Sequence, residues 1–167
     1  PGRRLSVDEL LARARARIEP RPGPREALAA ARGGALIVDL RSTDERERAG
    51  VIPGSLHVPR SVLEWRADPD CSWRNPILSR LDREVILVCA HGFSSSLAAA
   101  NLRQLGFLHA TDLAGGFEAW KAAGLPVRAP RPAPPGLLPG MGDPEPFAPD
   151  DEKEEPWLST PASMSSS

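Results

Sequence analysis

Four consecutive apolar residues, Val85-Ile-Leu-Val88, three of them β-branched, stop at Cys89, and a few residues later the periodicity becomes helical. Branched side chains pack well on a pleated surface, and so short an apolar run predicts a strand buried on both faces. From about Ser95, Ala98, Leu102 and Leu105 recur at i, i+4 and i+7, and Gly106 stands as a C-terminal stop. Strand, Cys, tight loop and helix in that order set a thiol over the positive end of a helix, ringed by loop N–H groups. Gly92 and the Ser94-Ser95-Ser96 run suit a loop of converging amides followed by a helix N-cap. A free Cys titrates near 8.5 and falls to roughly 3.5–7.5 in such surroundings. A fall of two units corresponds to about 2.7 kcal/mol, within reach of a cradle whose charge-assisted bonds contribute about 1.5–3 kcal/mol each. The competing reading, Cys89 as a small hydrophobe capping a core strand, does not account for the loop that follows.

A second buried strand is predicted at Ala35-Leu-Ile-Val-Asp39-Leu40. Asp39 sits at its carboxyl end, the edge that faces the ligand crevice in an open parallel sheet and the same rim as Cys89. Arg41 either returns to that rim or pairs with Asp39 as a structural anchor. Thr43 to Ala49 reads as a charged helical turn with no site implied. Ile52-Pro53-Gly54-Ser55 is a turn in which Pro presets φ and Gly takes the positive φ, and Leu56-His57-Val58 is a brief strand with His57 an ordinary strand residue. Leu63 to Ile77 is an irregular connection with aromatic anchors, and Cys71 is a bystander within it. Ala110-Thr-Asp-Leu113 makes a last strand, and Gly115-Gly116 turns sharply into a helix ended by Gly124 and Pro126. Strands alternating with helices predict a parallel α/β sheet.

The ends differ from the middle. Ser6-Val-Asp-Glu9 has the spacing of a capping box, and Val7, Leu10, Leu11, Ala14 and Ile18 recur on one face of the helix that follows, predicted to Arg17. Its apolar stripe lies either on this domain or on a partner. Ile18 to Arg21 reads as a short edge strand, and Pro24 begins a helix through Ala31 closed by Gly33-Gly34. From Ala129 onward lie ten of the nineteen prolines, then Asp150-Asp-Glu-Lys-Glu-Glu155 and a Ser-rich end. So little apolar surface does not offset ordering entropy, and disorder is expected, with Phe147 and Trp157-Leu158 as short docking anchors. The expected organisation is a helical arm over 1–17, a domain over 18–128 and a disordered tail over 129–167.

Net charge is −1, but residues 1–25 hold seven Arg against three acids and residues 129–167 two basic residues against seven acidic. The Arg-rich front lacks interleaved aromatics, so no nucleic-acid partner is expected. No stretch is long enough to cross a bilayer, no apolar leader stands at the N-terminus, and two Cys in unrelated surroundings make no disulfide framework. A cytoplasmic protein without metal or cofactor is the expectation.

Three motifs in order, Asp39-x-Arg41 leading to Ile52-Pro53-Gly54-Ser55, the Cys89-Ala-His-Gly92-x-Ser94-Ser95 loop, and Leu113-x-Gly115-Gly116-x-x-x-Trp120, resemble those of single-domain rhodanese-like sulfurtransferases. The resemblance covers about residues 18–128. It implies an open parallel sheet of about five strands flanked by helices on both faces, and a sulfurtransferase in which Cys89 carries a persulfide from a donor such as thiosulfate to cyanide, a thiol or a protein acceptor. Ala90, His91, Gly92, Phe93, Ser94 and Ser95 are then the substrate-binding loop, with Asp39 and Arg41 behind it. Many members place Arg just before the Ser that starts the helix; Ser94 stands there instead, and Val51 holds a position usually His. Arg60 and Arg66 are the expected replacements for the missing cations. Two other readings compete: a Cys-based phosphatase or arsenate reductase, which requires Arg where Cys89-x5 reaches Ser95, and a non-catalytic module for binding or regulation, which has no need of the thiol. Gly92-Phe-Ser94-Ser-Ser96 also lacks the second Gly of a Ser-hydrolase elbow.

Overall fold

The computed structural model describes residues 2–147. Along the chain come α1 (Val7–Ile18), α2 (Pro24–Arg32), β1 (Leu36–Asp39), α3 (Thr43–Ala49), β2 (Leu56–His57), α4 (Leu63–Ala67), β3 (Val85–Val88), α5 (Ser94–Gln104), β4 (Ala110–Asp112) and α6 (Gly116–Ala122). The strands form one parallel sheet in the order β2-β1-β3-β4. Side chains alternate across it, as a period of two demands. Leu36, Val38, Val85 and Leu87 face a core completed by Ala14 and Ile18 of α1, Leu63 and Ala67 of α4, and Leu102 of α5. Ile37, Ile86 and Val88 face the other layer, with Ala27 and Leu28 of α2 and Phe117 and Trp120 of α6.

Four strands, not five, make the sheet among the described residues. The missing one is the edge strand expected at Ile18–Arg21. There the chain bends, and instead of a ladder the Thr111 hydroxyl donates to the Ile18 and Pro20 carbonyls while Ala114 N–H donates to the Pro22 carbonyl. Pro20 and Pro22 have no N–H to give to a ladder.

The first helix is part of the domain. Ser6 and Glu9 form the capping box at its N-terminus, and Ile18 is fully buried in the sheet's core. Burying one such side chain stabilises by about 1.5–3 kcal/mol. The expected boundary between arm and domain therefore runs through packed core.

Residues 129–147 also depart from expectation. Val51 and Arg128 exchange backbone hydrogen bonds, and the chain then lies along the body. Arg66 Nε donates to Pro139 O at 2.8 Å, and Asn75 Nδ2 donates to Gly140 O at 2.9 Å. Glu145 exchanges backbone bonds with Gly54 and Ser55, and its carboxylate meets Arg46 Nη2 at 3.1 Å. Composition counts apolar side chains; this strap is held instead by buried polar groups of the body, which composition does not see. Phe147 rests its ring on Gly54, where a Cβ would collide with it. The remainder of the expected tail, with Trp157-Leu158, lies outside the described residues.

Candidate active site

Cys89 follows β3 directly, and parallel pairing matches Asp39 with Val88, so Asp39 and Cys89 stand on one rim. Cys89 is 8% exposed. Gly92 N–H points at Sγ from 3.2 Å and Ser95 N–H from 3.4 Å, and the thiol lies 3.1 Å from Ser95 Oγ. Burial pushes this thiol up, but the Ser95 and Ser94 hydroxyls and the two amides outweigh it and hold Cys89 below the ordinary thiol value.

Neighbouring backbone holds the loop in this shape. Phe117 and Glu118, in the first turn of α6, donate their N–H groups to the carbonyls of Cys89 at 2.8 Å and Ala90 at 3.1 Å. This contact needs Gly116, at φ +64°, because a Cβ there would sit 2.5 Å from the Cys89 carbonyl oxygen. Gly92, at φ +83°, packs on the Gly115-Gly116 turn, where a Cβ would sit 2.9 Å from Gly115 N. The second Gly-Gly pair thus serves the cysteine loop and does more than begin a helix.

Above the sulfur opens a shallow concavity of about 250 Å³ lined by Leu40, Arg41, Glu45, Ala90, His91, Phe93 and Ser94 with Cys89. Phe93 and His91 are exposed; Gly92 and Ser95 are buried. Arg41 is 4% exposed, bonded through Nε and Nη2 to both Asp39 oxygens and stacked 3.7 Å from the Phe117 ring centroid. Its charge is thereby compensated, and Glu45 adds a carboxylate to the same mouth. Glu45 caps α3 through Ser42, whose backbone N–H holds that carboxyl below its usual range. The expectation of no site in Thr43–Ala49 missed it.

The serine run does not cap the helix as expected. Phe93 is the N-cap, with no side-chain cap bond. The serine hydroxyls turn inward: Ser95 Oγ and Ser96 Oγ each donate to Asp112 Oδ2 at 2.7 Å. Asp112 is fully buried and also receives Arg21 Nε at 2.6 Å and Nη2 at 3.1 Å. Arg21 and Arg15 both donate to the Gly92 carbonyl, at 3.1 and 2.8 Å, and Arg15 lies 5.7 Å from the Phe93 ring centroid.

Arg60 and Arg66 do not fill the place of the missing loop cation. Arg60 pairs with Glu64 one helical turn on, and Arg66 is 7% exposed and spent on the carbonyls of Pro139 and Trp73. Segment proximity in sequence pointed to the mouth, but the short 3-10 turn at Arg60–Val62 and α4 aim both side chains elsewhere. The cations that do touch the loop are Arg15 of α1 and Arg21 of the connection between α1 and α2, and no local pattern reveals them, because they depend on how α1 and the segment after it dock on α5 and β4. Asp112 had a signal: like Asp39 it is an acid at the carboxyl end of a parallel strand beside the cysteine strand. Among the described residues no three His, Cys, Asp or Glu side chains cluster to hold a metal ion, and no helix is long and apolar enough to cross a membrane.

A family model described as Rhodanese-like domain matches residues 24–123. The thiosulfate sulfurtransferase GlpE of Pseudomonas entomophila is 36% identical over 103 residues, covering 61% of this chain and 84% of that protein. A sulfurtransferase of Allochromatium vinosum is 34% identical over 97 residues, 57% of this chain and 79% of the other. Among solved structures, a protein of unknown function from Rhodopseudomonas palustris, described as a possible tyrosine phosphatase, aligns with a TM-score of 0.69 at 33% identity, over 77% of this chain and 98% of its own. The human single-domain sulfurtransferase TSTD1 aligns at 0.52 with 29% identity, over 62% of this chain and 96% of its own.

Proposed function

This chain belongs to the rhodanese-like domain family, and from that premise we propose that it is a sulfurtransferase whose Cys89 carries a sulfane sulfur as a persulfide from a donor such as thiosulfate to a thiophilic acceptor, cyanide or a thiol. The observation that carries the reading is the pair of N–H groups, from Gly92 and Ser95, converging on a sulfur at the floor of an open mouth. With thiosulfate, the thiolate attacks the outer sulfur, the S–S bond to the sulfonate breaks with its electron pair, and sulfite leaves as Cys89 becomes Cys-S-S⁻. Cyanide or a thiolate then attacks the terminal sulfur and the Cys89 thiolate is released. The same amides face the anion in both forms, and their orientation is set before reaction. Ala90, His91, Phe93 and Ser94 line the approach, and Arg41, locked to Asp39, shapes one wall. Two free thiols, Cys71 and Cys89, suit a reducing, cytoplasmic setting.

A phosphatase reading fits this mouth poorly. The residue at Cys89-x5 is Ser95, which offers no guanidinium to a phosphoryl group and is bonded instead to the Asp112 carboxylate. The test is intact mass after incubation with thiosulfate and, separately, mercaptopyruvate. One added sulfur atom, absent in Cys89→Ser and removed by cyanide, is the expected result; no gain with either donor rejects the transfer chemistry in favour of a binding module.

A further inference from the structure

Ser95 owns a single hydroxyl proton, and two groups lie where they can take it. Its oxygen is 2.7 Å from Asp112 Oδ2 and 3.1 Å from Cys89 Sγ. With Cys89 protonated the three form a consistent chain: the thiol donates to Ser95 Oγ, and the Ser95 hydroxyl donates to the carboxylate. Removing the thiol proton breaks that order. The new thiolate faces the lone pairs of Ser95 Oγ unless the hydroxyl turns to it, and turning takes one of the four donors from a carboxylate sealed from bulk solvent, leaving Ser96 and the two Arg21 bonds. Hydrogen bonds to buried charges are the strong ones, so this competition is not small.

We propose that Asp112 is a positioning residue that competes with the Cys89 thiolate for the Ser95 proton and so keeps the thiol less acidic than the Ser95 hydroxyl and the amide cradle together would make it. The use of such a brake rests on the sulfur-transfer reading, in which Cys89 must be nucleophile in one half-reaction and leaving group in the other. Thiolate nucleophilicity falls as thiol pKa falls, and the best attacking thiol titrates near ambient pH. Two amides, a helix N-terminus and the Arg15 and Arg21 cations on the Gly92 carbonyl all push the other way. Other charged groups near the sulfur are Arg41, itself paired with Asp39, Glu45 and the loop's His91 at the mouth, and Glu118 beyond Ala90. Among the described residues the Ser95 hydroxyl bonds to Cys89 and Asp112, which makes it the link between acid and thiol.

The experiment is the pH dependence of iodoacetamide alkylation of the full chain in a Cys71→Ser background, so that only Cys89 reacts. Asp112→Asn presents an amide N–H₂ to Ser95 Oγ and releases the hydroxyl proton toward sulfur. Its alkylation midpoint is expected to fall by about one pH unit, a tenfold change in the thiolate-to-thiol ratio. Ser96→Ala, which changes no charge, takes a donor from Asp112, strengthens its hold on Ser95 and is expected to raise the midpoint. Both shifts should shrink sharply when Ser95→Ala is added. Loosening of the loop moves both variants in the same direction, and a bare charge effect leaves the Asp112→Asn shift intact without Ser95; either result, or midpoints that do not move, overturns the proposal. If Asp112→Asn does not fold, the Ser96→Ala shift with and without Ser95 decides the question. Alkylation needs only the thiol, so a failure of sulfur loading leaves this measurement standing and is read separately.

Discussion

Replacing Asp39 with Ala tests whether the acid on the cysteine rim is structural. Its side chain is 3% exposed and accepts four hydrogen bonds: Arg41 N–H and Nε at Oδ1, both 3.0 Å, and Arg41 Nη2 at 2.9 Å and Arg46 Nε at 3.2 Å at Oδ2. Arg46 keeps Glu145 when Asp39 is removed, whereas Arg41 keeps the Gly50 carbonyl and the Phe117 ring but loses the carboxylate that both its Nε and Nη2 are bonded to. Breaking a buried pair by deleting one member costs about 3–5 kcal/mol, because the remaining charge stays desolvated. Against a total stability of about 5–15 kcal/mol this is a large fraction, and it lowers the melting temperature by roughly 6–20 °C. Urea unfolding followed by tryptophan fluorescence measures it, since Trp120 is buried in the layer beside Phe117. Asp39→Ala combined with Arg41→Ala should lose less than the sum of the singles, for then no orphaned guanidinium is left. A single-mutant loss under about 1 kcal/mol, the range of exposed pairs, would refute the argument and return Asp39 to a direct role at the site.

Three further outcomes are expected. Gly116→Ala adds to the ~1–2 kcal/mol cost of a left-handed residue a collision with the Cys89 carbonyl, and should both destabilise the fold and slow Cys89 alkylation by at least about tenfold; alkylation at the parent rate contradicts the account of the loop. His57 is held below its ordinary value by burial and by the Arg46 charge, so its neutral form stabilises the fold above about pH 6.5 and that contribution is lost as pH falls through the depressed folded value. His57→Gln should therefore flatten the acid side of a urea-midpoint profile, and an unchanged slope denies the linkage. Arg60→Ala and Arg66→Met should leave the thiosulfate KM unchanged, with Arg66→Met lowering stability through the lost Pro139 and Trp73 carbonyl contacts; a raised KM in either places that cation at the mouth after all.

Local chemistry by itself determined the elements and the nucleophile. Runs such as Leu36–Asp39 and Val85–Val88 are too apolar and branched for anything but buried strands, the Ser6 box starts a helix where it stands, and Cys89 between strand and helix has few places to be but among amides. These features act over a handful of residues, which is the range that spacing can encode. Tertiary structure alone decided what surrounds the sulfur. Arg15 reaches the Gly92 carbonyl because α1 packs on α5, Arg21 because the segment after α1 is tied to Thr111 and Ala114, Asp112 meets Ser95 because β4 pairs with β3 in one register, and Glu145 finds Arg46 from the far end of the chain. Each joins residues 17 to 99 positions apart through buried or partly buried hydrogen bonds, and a polar residue that is solvated in one packing and indispensable in another reads the same along the chain.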